Sequence, residues 1–265
     1  MTYTCLRFAV AEGVAHVTID RVAQFNALDL TAMEELLDVA NRCSTDPAVR
    51  CVLLTGAGDR AFCAGGDVAG FARAMESGEI ALLIQRMTAA LHMAISRFAW
   101  MRAPLVGAVN GVAAGAGLSL AAACDLVIAA DTARFTSAYT RIGLTPDGSS
   151  TTFLTRLVGP RRAAELHMTD RVLTAQEALD WGIVNRVVPA AALMQEAGAL
   201  AAKLAQGPTR AYGGVKRLLQ TGLADTLESQ MEREARSILE MAQSPDGIEG
   251  VTAFATKRAP RFTGA

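Results

Sequence analysis

The chain has 265 residues and a formal net charge of −1 at pH 7, with 51% hydrophobic and 19% charged residues. This length suits one compact domain with a small appendage, and the residue balance excludes a disordered or fibrous chain. The near-neutral charge offers no basic surface to attract nucleic acid or an anionic membrane, so we expect neither as a partner.

Cysteines and histidines are few and scattered, with five of the former and three of the latter. No Cys-x-x-Cys pair occurs, and the spacing offers no metal site. Reduced thiols in a cytoplasmic protein explain this pattern. The N-terminal residues lack the basic and apolar segments of a signal peptide, and the Ala-rich stretch 111–123 is too short to span a membrane.

Strands and helices alternate through the first two thirds of the sequence. Residues 4–20 read as two strands joined at Glu12-Gly13, and a capping box at Thr31 and Glu34 is predicted to begin the next helix. Buried strands are predicted at 50–55 and 104–109, a long helix at 80–101, and a third strand in CDLVIAAD. This order is typical of an α/β protein with helical crossovers.

After about Thr174 the sequence becomes helical, and a final set of helices runs from Pro208 to Gln243. Gly207-Pro208 is the best candidate for a boundary, because this dipeptide interrupts helices. We therefore divide the chain into a core, residues 1–206, and a C-terminal helical region, residues 207–265. The second part is predicted to cap the core or to mediate oligomerisation.

Two Gly-rich turns carry the first chemical signal, in the segments FCAGGDV and GVAAGAG. Each is predicted to end a buried strand and to begin a helix. The first N–H groups of a helix lack partners within that helix and point away from its N-terminus. Two such donors aimed at one carbonyl oxygen would form an oxyanion hole.

A carboxylate, Asp147, lies in the segment FTSAYTRIGLTPDGSS inside a Pro-Asp-Gly turn. Proline presets the first corner of such a turn, aspartate bonds to its own backbone, and glycine takes the strained position. Taken alone, the turn explains the aspartate without any chemistry. A catalytic role needs support from the rest of the chain.

Five separated segments resemble, in order and spacing, the crotonase (enoyl-CoA hydratase/isomerase) superfamily; they are FCAGGDV, RAPLVGAVNGVAAGAGLSLAAACDLVIAAD, FTSAYTRIGLTPDG, LTAQEALDWGIVNRVV and EGVTAFATKRAPRF. The resemblance covers essentially the whole chain. It implies a spiral of repeated ββα units followed by a helical trimerisation region, and hence a homotrimer or a hexamer of two trimers. It also implies an enzyme that stabilises the enolate of an acyl-CoA thioester, with no cofactor beyond the coenzyme A of its substrate.

The resemblance also implies roles for individual residues. The oxyanion-hole amides match Gly66 and Ala116, although the second position is usually glycine. The two glutamates of the family's hydratases match Ser119 and Tyr139, neither of which is a carboxylate base. Asp147 matches the catalytic aspartate of some isomerases, and its IGLTPDG context most resembles the phenylacetyl-CoA type. The resemblance therefore favours double-bond isomerisation with Asp147 as both acid and base.

Other positions match residues that bind the acyl-CoA substrate in the family. The implied substrate-binding residues are Asn26, Ala27, Leu28, Ala64, Asp67, Tyr139, Phe254 and Lys257. Among them, Phe254 and Lys257 match positions that contact the coenzyme A of a neighbouring subunit. Asp67 also precedes a predicted helix, where aspartate commonly serves as the cap.

Three alternative functions stay open at this stage. The chain could be an enoyl-CoA hydratase that uses an acid in another place. It could be an aryl-CoA dehalogenase in which Asp147 is the nucleophile and His92 the base, although a lone histidine on a helix is more often structural. It could also be a relative that binds acyl-CoA thioesters without turning them over.

Overall fold

Within residues 3–265, which the computed structural model describes, the strands form two β-sheets. Six strands form the larger sheet: β1 Leu6–Ala11, β2 Val14–Ile19, β3 Cys51–Gly56, β5 Leu105–Val109, β7 Leu126–Ala130 and β10 Arg186–Val188. Four form the smaller sheet: β4 Ala61–Cys63, β6 Val112–Ala114, β8 Arg134–Thr136 and β9 Leu173–Thr174. Neighbouring strands are parallel except β1 against β2 and β8 against β9.

Ten α-helices accompany these sheets in the described part of the chain: α1 Leu30–Thr45, α2 Val68–Glu76, α3 Ile80–Trp100, α4 Ala116–Ala123, α5 Ser150–Thr169, α6 Ala175–Asp180, α7 Leu193–Ala205, α8 Thr209–Thr221, α9 Leu227–Ala242 and α10 Pro245–Ala255. The elements repeat in one order: a strand of the larger sheet, a strand of the smaller sheet, and then a helix. This order is seen in β3–β4–α2, β5–β6–α4 and β7–β8–α5. The predicted spiral of ββα units is therefore confirmed.

The larger sheet is buried on both faces, as β3 illustrates. Val52 and Leu54 pack into the main core, which includes residues of α1 and α3. Leu53 packs into a second cluster together with α7 residues such as Ala197 and Ala201. A strand covered on both faces needs an unbroken apolar sequence, which is why RCVLLT has no polar alternation.

Two sequence predictions about these elements are wrong. α1 is capped by Asp29, whose carboxylate accepts a hydrogen bond from the N–H of Ala32 at 2.8 Å. Thr31 and Glu34 therefore lie inside the first turns of the helix and do not form the predicted capping box. The region after Thr174 is also not purely helical, because β10 completes the larger sheet by pairing with β7.

The C-terminal helices are tied to the core by a buried lysine on α8. The Lys216 ammonium donates to the backbone oxygens of Phe98 at 2.9 Å and Ala103 at 3.1 Å. It also pairs with the Asp125 carboxylate at 2.7 Å. The division between residues 1–206 and 207–265 stays a prediction.

Three further features of residues 3–265 bear on function. None of the helices in this range has both the length and the apolar character required to cross a membrane. No three histidine, cysteine, aspartate or glutamate side chains in the same range lie close enough together to hold a metal ion. All five cysteines are free thiols.

Candidate active site

The two Gly-rich turns meet at the carboxyl ends of β4 and β6, which are parallel neighbours. Gly65 has φ +99° and Gly115 has φ +52°, a region that favours glycine. A Cβ on Gly65 would lie 2.9 Å from the oxygen of Ala114 and 3.5 Å from the nitrogen of Ala116. The two turns are therefore in direct contact, with no room between them for a side chain.

Each turn contributes a residue to the wall of one cavity. Gly66 and Ala116 both line this cavity, and within residues 3–265 neither N–H donates a hydrogen bond to the protein. Ala116 is the first residue of α4, so its N–H lies at the positive end of that helix. Because its φ is not positive, the methyl group of Ala116 introduces no strain at this position.

Asp147 lines the same cavity and is held by Tyr139. The tyrosine hydroxyl donates to Oδ1 of Asp147 at 2.5 Å. Burial and the neighbouring Asp147 carboxylate raise the pKa of Tyr139 well above its usual value. The phenol therefore keeps its proton and acts as a donor, while within residues 3–265 no donor reaches Oδ2 of Asp147.

Ser119, on α4, holds the backbone of the same turn. It is fully buried, and its hydroxyl donates to the backbone oxygen of Asp147 at 3.0 Å. Its oxygen also lies 3.3 Å from the Tyr139 hydroxyl. The two residues that match the hydratase glutamates thus contact Asp147, one at its carboxylate and one at its main chain.

His92, on α3, contacts the turn from the other side. The N–H of Gly148 donates to Nε2 of His92 at 3.1 Å, so this nitrogen carries a lone pair that is already engaged. Gly148 has φ +61°, and a Cβ there would lie 2.8 Å from Cβ of Ser119. His92 therefore helps to fix the turn that carries Asp147.

The cavity has a volume of about 390 Å³ and is mainly apolar. Its apolar walls come from α1, α2, α3 and the segment that precedes Asp147; they include Met33, Val68, Phe71, Ile84, Met87 and Leu144. Among the described residues that line it, Asp147 is the only carboxylate and Arg141 the only cation. An apolar cavity with few polar groups at one end is typical of a small-molecule site.

The predicted loop 26–28 lies behind the first turn and does not line the cavity. Leu28 pairs with the turn, because its N–H donates to Gly65 at 2.7 Å and its oxygen accepts from Asp67 at 2.9 Å. The Asn26 amide donates to Ala57 and Ala61 at 2.9 and 2.7 Å. Asn26 is 1% exposed, so its side chain supports the fold of this loop.

The remaining predicted binding residues lie in two places, beside the first Gly-rich turn and near the C-terminus. Ala64 lines the cavity, whereas Asp67 caps α2 by accepting from the N–H of Gly70 at 3.2 Å. Phe254, at the end of α10, is 88% exposed, and Lys257 lies just beyond that helix. Neither lines the cavity, and their contact with a neighbouring subunit's coenzyme A stays a prediction.

One support of the site was not predicted from the sequence. The hydroxyl of Ser137 lies 2.7 Å from Nδ1 of His167, and the hydroxyl of Thr140 donates to Asp170 at 2.8 Å. These contacts attach the segment that carries Tyr139 to the end of α5. Burial lowers the pKa of His167, so this histidine is neutral at physiological pH. No spacing in the sequence indicates that Ser137 contacts His167 or that Thr140 contacts Asp170.

The chain is similar to several proteins that are named as enzymes of acyl-CoA thioesters. It is 39% identical to a probable enoyl-CoA hydratase of Rhodobacter capsulatus, over 100% of both chains. It is 36% identical to the 1,2-epoxyphenylacetyl-CoA isomerase of Escherichia coli, over 96% of this chain and 97% of the relative. It is also 36% identical to a 4-chlorobenzoyl coenzyme A dehalogenase of an Arthrobacter species, over 93% of this chain and 88% of the relative.

A solved structure agrees with these relatives. The crystal structure of a putative enoyl-CoA hydratase/isomerase from Mycobacterium abscessus superimposes with a TM-score of 0.93 at 34% identity, over 98% of this chain and 100% of that one. The family model for enoyl-CoA hydratase/isomerase matches residues 9–265. The chain therefore belongs to the enoyl-CoA hydratase/isomerase family.

Proposed function

We propose that this protein isomerises the double bond of an enoyl-CoA thioester, with Asp147 as the single acid and base. The observation that carries the proposal is the position of this carboxylate. It is the only one among the described residues that line the cavity, and the same cavity is lined by Gly66 and Ala116, whose N–H groups donate no hydrogen bond within residues 3–265.

The two N–H groups would bind the thioester oxygen and stabilise the negative charge that develops there. Preorganised donors of this kind act most strongly on the transition state, and loss of one typically costs on the order of 10²–10³ in rate. The contact between the Gly65 and Gly115 turns supports this role, because it holds the donors together before substrate arrives.

Asp147 would move the proton between two carbons of the substrate. Its Oδ1 accepts from Tyr139, which leaves Oδ2 as the atom that removes a proton from the α-carbon of a 3-enoyl ester. The electron pair of that C–H bond then spreads over the dienolate to the thioester oxygen. Return of the same proton to the γ-carbon gives the 2-enoyl ester, so the reaction is redox-neutral and consumes nothing else. The proposal therefore needs no cofactor beyond the coenzyme A of the substrate.

Hydration has less support from this geometry, although one relative bears the name of a probable hydratase. Addition of water needs a group that activates the water as well as one that protonates the carbon. Ser119 has no accessible pKa, and the raised pKa of Tyr139 keeps its phenol from acting as a base at neutral pH. Ser119 and Tyr139 therefore hold Asp147 in position and do not activate water.

Dehalogenation also has less support, although another relative is named as an aryl-CoA dehalogenase. That chemistry would use Asp147 as a nucleophile and His92 as the base for hydrolysis of the ester it forms. The Nε2 lone pair of His92 already accepts the N–H of Gly148. A histidine engaged in this way fits a structural role better than that of a base.

The test is proton exchange and product analysis with 3-hexenoyl-CoA in deuterium oxide. We expect the wild type to form 2-hexenoyl-CoA and to exchange hydrogen at the α- or γ-carbon, and Asp147→Asn to lose both by at least 10²-fold. Asn has nearly the same shape, so binding of the ester should persist. Exchange that survives in Asp147→Asn would contradict the proposal, as would hydration of crotonyl-CoA as the main activity. Tight binding with no turnover of any enoyl ester would favour a non-catalytic relative.

A further inference from the structure

A second cavity lies directly behind the candidate active site, and Phe71 separates the two. This groove has a volume of about 320 Å³ and runs along the start of α1, α2 and α3. Phe71, on α2, lines both the groove and the active-site cavity, as does Met87 on α3. Both side chains are buried, at 9% and 3% exposure, so they form a wall between the two spaces.

Packing fixes the ring of Phe71 beside the Gly-rich turn that carries Gly66. A Cβ on Gly66 would lie 2.7 Å from Cζ of Phe71, so the tip of the ring touches the residue that supplies the first oxyanion N–H. The start of α2 is held by the Asp67 cap, and Asp67 also pairs with Arg21 at 3.5 Å. The ring is thus held where a substrate chain leading away from the thioester carbon would meet it.

The groove behind Phe71 has apolar side chains on its walls and charged ones on its rim, where Arg21 is held in ion pairs and the exposed Arg73 forms none with the described residues. Leu30 and Leu83 join Phe71 and Met87 on its walls. On the rim, Arg21 pairs with Asp29 at 2.7 Å as well as with Asp67. A space of this kind accepts an alkyl chain once the wall is opened, because Arg21 keeps its ion pairs and the exposed side chain of Arg73 stays in water.

We propose that Phe71 limits the length of the acyl group, so that the enzyme takes compact acyl-CoA esters whose chain ends within the active-site cavity. This inference rests on the proposed function in one respect, namely that an acyl-CoA occupies the cavity lined by Asp147. Replacement of Phe71 by a small residue joins the cavity to the groove and admits longer chains.

The test is calorimetric binding of butanoyl-, octanoyl- and dodecanoyl-CoA to the wild type, Phe71→Ala and Phe71→Leu. Saturated esters are used because their binding does not depend on turnover. For the wild type we expect no gain in affinity from octanoyl- to dodecanoyl-CoA. For Phe71→Ala we expect dodecanoyl-CoA to gain at least tenfold over octanoyl-CoA, since each buried methylene contributes roughly fourfold. Phe71→Leu, which keeps an apolar side chain on α2, should fall between them.

Leu144→Ala is the matched control, because Leu144 lines the active-site cavity and not the groove. It enlarges the cavity without opening the wall, so its preference for chain length should remain that of the wild type. If the Phe71 variants fold and keep the wild-type order of affinities, the inference is wrong while the proposed function stands. If the wild type binds none of the three esters, the proposed function fails and this inference fails with it.

Discussion

Asp147 is held by two side chains that carry no negative charge of their own. The Tyr139 hydroxyl donates to its carboxylate, and the Ser119 hydroxyl donates to its backbone oxygen. Carboxylates at these two positions would repel a third one at such distances. The resemblance implies that this tyrosine and serine stand where hydratases of the family carry two glutamates. In this chain the two hydroxyls instead supply the donors that hold a single aspartate beside the cavity.

Tyr139→Phe tests this positioning role at the level of one atom. A hydrogen bond to a charged group contributes about 1.5–3 kcal/mol, so we expect kcat to fall by roughly 10- to 100-fold with little change in KM. Steady-state kinetics with 3-hexenoyl-CoA measure both constants. Tyr212→Phe is the matched control, because Tyr212 lies on α8 and does not line the cavity. An unchanged kcat in Tyr139→Phe would show that the hydroxyl has no part in positioning Asp147.

At the scale of elements, the segment that carries Tyr139 and Asp147 has no regular structure of its own over most of its length. It is held instead by three helices that surround it. α3 contributes His92, α4 contributes Ser119, and α5 contributes His167. The segment therefore depends on how the helices of the core pack together. The turn that carries Asp147 has its position because three separate helices meet there.

This arrangement explains what the sequence could and could not predict. Long elements such as α3 and β5 were predicted within about one residue, since their apolar patterns are local. Strands of two or three residues such as β4, β8 and β9 were missed, because pairing with one another stabilises them and no local pattern does. The Gly-rich turns and Asp147 were found from motifs. The contacts of His92 and Ser119 with the turn depend on the approach of elements distant in sequence, which no spacing reveals.

The attachment of α8 to the core leads to a stability prediction for Lys216. Its side chain is 6% exposed, and its ammonium pairs with Asp125, whose side chain is 24% exposed. Lys216→Met fills a similar volume but leaves that carboxylate without its cation. We expect a loss of about 3 kcal/mol in the free energy of unfolding, measured by urea denaturation at pH 7. Lys216→Met combined with Asp125→Asn is the control, and it should recover part of the loss.

The same variant has a defined pH dependence. Burial raises the pKa of Asp125 and the Lys216 ammonium lowers it, so removal of the lysine leaves burial opposed only by the hydrogen bond from the Leu105 N–H. A carboxyl whose pKa is higher in the folded than in the unfolded state binds protons preferentially in the folded state. Its destabilising effect is therefore full at neutral pH and shrinks as the pH falls toward the folded pKa. A deficit of the same size at pH 7 and pH 5 would contradict this account.

At the scale of the whole molecule, the C-terminal helices expose a large apolar surface. α9 has no buried residue, and Leu227, Met231 and Ile238 on one of its faces are 71%, 56% and 71% exposed. On α8, Leu219 is 71% exposed. An exposed apolar helix face of this kind usually marks a contact with another chain. It supports the predicted homotrimer or hexamer, in which Phe254 and Lys257 of one subunit would reach the coenzyme A bound by its neighbour.

Leu227→Glu combined with Ile238→Glu tests this assembly. Burial of two unpaired charges in an apolar interface carries a desolvation penalty larger than the stabilisation that the apolar contact provides. We expect light scattering after size-exclusion chromatography to give three or six chains for the wild type and fewer for the double variant. Because the coenzyme A contacts of Phe254 and Lys257 would be lost with the neighbour, KM should rise while Asp147-dependent exchange persists at saturating substrate. Met168→Glu is the control, because Met168 is 78% exposed but lies on α5, away from this surface. A monomeric wild type with full activity would show that the exposed helices serve another purpose and that the site is complete within one chain.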